Sequence, residues 1–148
     1  MTIIDPMQLS AAGEAFIKKE EGLTLTKKGD GAKQEIGWGH DILPGENIPN
    51  KITVAFAQQL FDGDSAIAAA AVNNSVTAQL SQNQFDACCS LAYRAGAGAF
   101  KGSTLVRLLN QNPPNYAGAA AQFQQWNNHG SEQGRANREG QLFNGNGN

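Results

Sequence analysis

The stretch from Leu23 to Asn50 interrupts a chain whose remainder has helical periodicity. It begins with Thr and Lys in alternation, and with the preceding Gly22 it holds Gly29, Gly31, Gly37, Gly39 and Gly45, together with Pro44 and Pro49. Glycine costs a helix interior about 1 kcal/mol and proline about 3 kcal/mol, so this texture belongs to strands and turns. One helix before it and several after it give an α+β arrangement, mainly helical. A small β-hairpin lobe follows the first helix, with a cleft where the parts meet.

The helical stretches carry their own punctuation. Residues 8 to 21 read as the first helix, with Leu9, Phe16 and Ile17 on the apolar face, Ser10 as the cap and Gly22 as the stop. Thr53 opens a segment that runs to about Val72. Ser81-Gln-Asn-Gln84 fits a capping box ahead of Phe85, Cys88, Cys89 and Ala92, the stripe of a central buried helix that ends at Gly96 or Gly98. Ser103 to Leu109, Tyr116 to Trp126 and Gln133 to Phe143 complete the set, with Asn112-Pro-Pro-Asn115 as a break. At 148 residues the chain is read as a single domain, 1–148, with a hairpin lobe at 23–50, a helical lobe at 51–143 and a frayed tail at 144–148.

Composition excludes several classes. With 11 Lys plus Arg against 13 Asp plus Glu there is no basic surplus for a nucleic acid. Adjacent Cys88 and Cys89 cannot staple distant segments and read as buried free thiols. Two histidines and no Cys/His cluster give no metal site, and no glycine-rich loop fits a phosphate, so no cofactor is expected. No stretch approaches the roughly 20 apolar residues of a spanning helix, and no secretory signal opens the chain. A soluble monomer made in the cytoplasm is expected, with no integral membrane association; action outside the membrane requires another protein to release it.

Two features bear on chemistry. Glu20 and Glu21 end the first helix, where the partial negative charge of a helix C-terminus disfavours a carboxylate and raises its pKa; spacing alone favours the plainer reading of solvated surface acids, since unpaired acids are mostly exposed. In Glu35-Ile36-Gly37-Trp38-Gly39-His40, strand alternation puts Glu35, Gly37 and Gly39 on one face. That face is either a carboxylate beside bare backbone shaped for a bulky ligand, or a bend beside a wet glutamate. His40 is a candidate base or a hydrogen-bonded scaffold residue.

The runs Phe16-Ile-Lys-Lys-Glu-Glu-Gly-Leu23, Ile36-Gly-Trp-Gly-His40 and Gln82-Asn-Gln-Phe-Asp-Ala87 resemble phage-type lysozymes, the endolysins of glycoside hydrolase family 24. Gly96-Ala-Gly-Ala-Phe100, Ser103-Thr-Leu105, Tyr116-Ala-Gly-Ala-Ala120, Trp126-Asn127 and Arg138-Glu139 continue the likeness in the same order, from about Leu9 to Phe143. The resemblance implies a two-lobed lysozyme-like fold. It also implies hydrolysis of the β-1,4 bond between N-acetylmuramic acid and N-acetylglucosamine in peptidoglycan, causing bacterial lysis. The family pattern is Glu, eight residues, Asp, five residues, Thr. Glu21 matches the first position and Asp30 the second, but Glu35 stands where Thr belongs and the hairpin is one residue shorter.

By this resemblance Glu21 is the general acid. Glu35 is preferred over Asp30 as the second catalytic group, because it sits on a strand face whereas Asp30 lies between two glycines. Tyr93, Arg94 and Ser103 fall where the family lines its cleft, Arg94 being able to grip a substrate carboxylate bidentately. Phe100, Phe123 and Trp126 read as core. The sequence pI of about 5.6 is a poor match to an anionic wall unless Lys27, Lys28 and Lys33 supply local positive potential. Peptidoglycan is the expected partner, with release through a holin. A secreted antibacterial effector held by an immunity protein, a lytic transglycosylase and an inactive wall-binding module are the alternatives.

Overall fold

The computed structural model describes residues 5–31 and 33–145. Helix α1 spans Ala11–Glu21 and is fixed at both ends. The Ser10 hydroxyl accepts the Gly13 N–H at 2.9 Å, and buried Asp86, further along the chain, accepts the Ser10 N–H at 3.1 Å as well as its hydroxyl. At the other end the Gly22 N–H returns to the Lys18 carbonyl at 2.9 Å. Gly22 has φ +73°, a conformation that suits glycine, so the chain turns away directly after Glu21. The first helix thus starts later than the apolar periodicity suggested, but Ser10 and Gly22 bound it as expected.

Strands β1 (Thr24–Asp30), β2 (Lys33–Gly37) and β3 (His40–Asp41) form an antiparallel sheet in that order. Lys28 pairs with Glu35, Asp30 with Lys33, and Ile36 with His40. The alternation read through Glu35 to His40 stops at Gly37. There the chain reverses through Gly37-Trp38-Gly39, whose glycines take φ +71° and +73°. Ile36 is fully buried, and Trp38 is partly buried against both hydrophobic clusters, the small one under the sheet (Ile36, Ile48, Ile52, Ala57) and the large helical one. The Trp38 ring meets Phe61 edge-on, with centroids 6.0 Å apart.

Helix α2 (Val54–Ser75), capped by Thr53, outruns the expected end at Val72 and crosses from one cluster to the other. Helix α3 (Gln82–Ala95) has the capping box of Ser81 and Gln84 and ends at Gly96. It is the central helix: every residue from Phe85 to Ala92 is buried, including Cys88 and Cys89, which are free thiols. Helices α4 (Ala97–Lys101), α5 (Thr104–Leu109), α6 (Tyr116–Gln122) and α7 (Gln133–Phe143) pack around it. The single helix expected over Tyr116 to Trp126 is two pieces, α6 and a 3₁₀ turn at Phe123–Trp126. Phe100 and Phe123 are fully buried and Trp126 packs against the same cluster, so these aromatics are core. Of the tail, Asn144 caps α7 and the Gly145 N–H bonds the Leu142 carbonyl at 2.9 Å, while residues 146–148 lie outside the described set.

Candidate active site

The last turn of α1, the Gly37–Gly39 turn and α7 converge on one carboxyl. Glu21 ends α1 with its side chain 17% exposed. One oxygen accepts from the Arg135 guanidinium of α7. The other lies so close to Gly39 that a Cβ there would collide with it. Glycine at 39 is therefore demanded twice, by its positive φ and by the carboxyl packed on its backbone. Glu20, one residue earlier, pairs instead with Arg138. That hydrogen bond holds Glu20 below the usual carboxylate range. The acid pair at the helix end is thus split into one ionised acid and one whose protonation is favoured.

Burial pushes Glu21 above the ordinary glutamate value. The charge and hydrogen bond of Arg135 pull the other way, and Glu35 and Glu132 add to the rise. Such a carboxyl can hold a proton and release it to a leaving oxygen. Glu35 lies on β2, half-buried, with Lys28 Nζ 3.3 Å from its Oε1 across the sheet. Asp30 ends β1, exposed, opposite Lys33. Thr24, where β1 leaves α1, pairs with Gly37. At about 3.3 Å per residue along β2, Glu35 is about 7 Å from Gly37, and Asp30, opposite Lys33, is about 13 Å from it.

The remaining candidates separate. Tyr93 on α3 donates its hydroxyl to the Trp38 carbonyl at 2.5 Å and thereby ties the glycine turn to the helical lobe. It also lines a cavity of about 200 Å³ with Gly39, Asp41 and Asp64. Arg94 is held by partners within the protein. Its Nε and Nη2 grip Glu139 at 2.6–3.1 Å and its Nη1 donates to the Trp126 carbonyl at 2.5 Å, so the bidentate partner is internal. Ser103 likewise turns inward, its hydroxyl accepting the Val106 N–H at 3.2 Å as the cap of α5. His40 has both ring nitrogens occupied, Nδ1 by Asp64 at 2.8 Å and Nε2 by Glu46 at 2.9 Å. No nitrogen is left for a base, and the scaffold reading of His40 holds. Burial opposes its charge, but the two carboxylates prevail and raise its pKa.

Reading the sequence alone missed Arg135, Glu139 and Ser90. The legible signal was spacing: Arg135 and Glu139 are four apart on the face of α7 that also buries Ala136, Gly140 and Phe143, and a charge pair on an apolar face needs a buried partner. Among the described residues no His, Cys, Asp and Glu cluster is arranged to hold a metal ion.

This is the fold and site of a lysozyme-like glycosidase: a carboxyl at the end of the first helix, bordered by a glycine hairpin and a helical lobe. Comparison with known proteins specifies it further. The phage lysozyme family profile matches residues 18–141, and the chain belongs to that family. The endolysin of Salmonella phage P22 is 34% identical over 145 residues, covering 93% of this chain and 98% of that protein. The endolysin of Bacillus phage PZA is 38% identical over 93% of this chain, which spans 55% of that relative's length. Among solved structures, a mutant P22 lysozyme superposes with TM-score 0.77 at 35% identity, covering 93% of this chain and 98% of that one. The muramidase domain of SpmX from Asticaccaulis excentricus superposes with TM-score 0.79 at 29% identity, covering 92% and 97%. The chain is a lysozyme that hydrolyses peptidoglycan.

Proposed function

We propose that this lysozyme cleaves the β-1,4 bond between N-acetylmuramic acid and N-acetylglucosamine, with Glu21 as the general acid and Glu35 as the second catalytic group. The observation that carries the reading is the Glu21 carboxyl itself, buried at the end of α1, backed by Arg135 and packed on Gly39. In glycoside hydrolysis one carboxyl protonates the departing oxygen while a second group meets the positive sugar ring or activates water. Burial keeps the Glu21 proton available. Glu35 is the carboxylate on the hairpin whose charge acts on Glu21, and Lys28 Nζ lies 3.3 Å from its Oε1. Asp30, at the far end of β1, is the weaker candidate for the second role.

Tyr93 lines the cavity beside Gly39 and contributes to holding the substrate. Residues 1–148 act as one lysozyme-like domain, monomeric, made in the cytoplasm and released to the wall by a separate holin. The relatives named as endolysins favour this over delivery as an effector with an immunity protein.

The test is clearance of chloroform-treated Gram-negative cells. Glu21→Gln abolishes it with an unchanged melting curve, and an active Glu21→Gln variant overturns the assignment. Glu35→Ala loses far more activity than Asp30→Ala; the reverse order transfers the second role to Asp30. Mass spectrometry of the products finds reducing ends, and anhydro ends would make the reaction that of a transglycosylase.

A further inference from the structure

Behind Glu21 lies a second carboxyl with no access to solvent. Glu139 of α7 is fully buried, and its two oxygens collect four donor groups. The Ser90 hydroxyl reaches Oε2 at 2.5 Å. Arg94 delivers Nη2 to Oε1 at 2.6 Å and Nε to both oxygens at 3.0–3.1 Å. Arg135, one turn earlier on α7, places its Nε 3.3 Å from Oε2. The same Arg135 uses Nη2 on the Ser90 hydroxyl and carbonyl, at 3.2 and 3.4 Å, and Nη1 on Glu21. Arg135 is 5% exposed and therefore has no water to spread its charge into. The cluster holds two guanidinium groups and two carboxyls, and the only one of the four positioned to change protonation in the reaction is Glu21.

We infer that Glu139 is a positioning residue for the reaction: it anchors the guanidinium that backs Glu21 and takes up much of its positive charge, with Arg94 gripping Glu139 as its second partner. An unopposed arginine beside a carboxyl stabilises the carboxylate and removes the proton needed for catalysis. An arginine already committed to Glu139 still orients Glu21 by hydrogen bonding while drawing off less of its proton. The inference rests on Glu21 being the general acid. The burial that raises Glu21 is opposed by Arg135, so the balance depends on how much of the Arg135 charge is neutralised elsewhere.

The other charged groups around Glu21 do not substitute for this arrangement. Glu35 on β2 and Glu132 at the start of α7 add negative charge from the solvent side. On α1 itself Glu20 is committed to Arg138, and Lys18 to Glu14. On α3 the Tyr93 phenol is pushed up by burial and stays neutral. Glu139 is thus the carboxylate in direct contact with the hidden side of Arg135.

The experiment is carbon-13 NMR titration of the Glu21 carboxyl in the full chain, alongside the pH profile of wall lysis, for the parent, Glu139→Gln and Arg94→Gln. Removing the Glu139 charge frees Arg135, so the Glu21 midpoint falls by about one pH unit and the alkaline limb of lysis moves down with it. Removing Arg94 leaves Glu139 wholly to Arg135, so both move up. Loosening of the packing would admit water and carry both variants in the same direction. Opposite shifts are the expected result; parallel shifts, or none, overturn the inference. If Glu139→Gln does not fold, the Arg94→Gln midpoint decides alone, a rise supporting the inference and no rise refuting it. The NMR midpoint is read without activity, so an active Glu21→Gln variant, which would refute the general-acid role, is a separate result.

Discussion

Gly39→Ala tests the geometry of the site most directly. Its φ of +73° is one that an L-residue occupies at a cost of about 1–2 kcal/mol. The new Cβ would also collide with the Glu21 carboxyl, meeting Cδ at 2.9 Å and Cγ at 3.5 Å. The side chain that must yield is Glu21, which has to leave its rotamer, at about 0.5–1.5 kcal/mol, and loosen its bond to Arg135. The expected destabilisation is about 2–3 kcal/mol, or roughly 5–10 °C in melting temperature at this chain length. The catalytic loss is larger, because a displacement of about 1 Å in a reacting group costs about 100-fold. Gly45→Ala is the control: its φ is +84°, yet no atom lies within 4 Å of the position its Cβ would take. It bears the backbone penalty alone, so melting falls by a few degrees while lysis of chloroform-treated cells stays near the parent rate. Parent-like lysis by Gly39→Ala would show that the position of the Glu21 carboxyl is not set by the glycine turn, and would refute the reasoning.

Three further outcomes follow from the same contacts. The pKa of His40 is raised in the folded state, so its pairing contributes fully below the ordinary value of about 6.5 and is lost as pH rises through the folded value; the stability gap between parent and His40→Gln, of about 2 kcal/mol near pH 6, narrows as pH rises above about 6.5. Phe61→Ala empties a fully buried site against Trp38 and Tyr93 and costs about 3–5 kcal/mol by denaturant unfolding. Tyr93→Phe removes the donor to the Trp38 carbonyl, lowers stability by about 1 kcal/mol and raises the KM for wall fragments several-fold; an unchanged KM would remove Tyr93 from the substrate-holding surface.

The scaffold of α1 shows how local information reaches its limit. Ser10 and Gly22 bound the helix by rules that involve only neighbouring residues, so its end at Glu21 was readable. The adjacent acids were not distinguishable by the same means, because Glu20 and Glu21 differ in which arginine of α7 each meets. The strand alternation failed at Gly37 for a related reason. Two glycines with positive φ let the chain reverse, and Trp38 was drawn to the junction of two hydrophobic clusters that exist only after packing.

The amino-acid order alone determined the class of fold, the caps of its principal helices, the burial of the cysteine pair and the point at which α1 ends. These rest on period, capping chemistry and turn residues, all interactions within a few positions of the chain. Tertiary structure decided what Arg94, Ser103 and His40 do, since each carries polar groups that burial obliges to find partners, and those partners lie on other elements or at a new helix end. It also decided the company kept by Glu21, because the charge that balances a buried carboxyl is set by distance in space, and Arg135 stands 114 positions away along the chain.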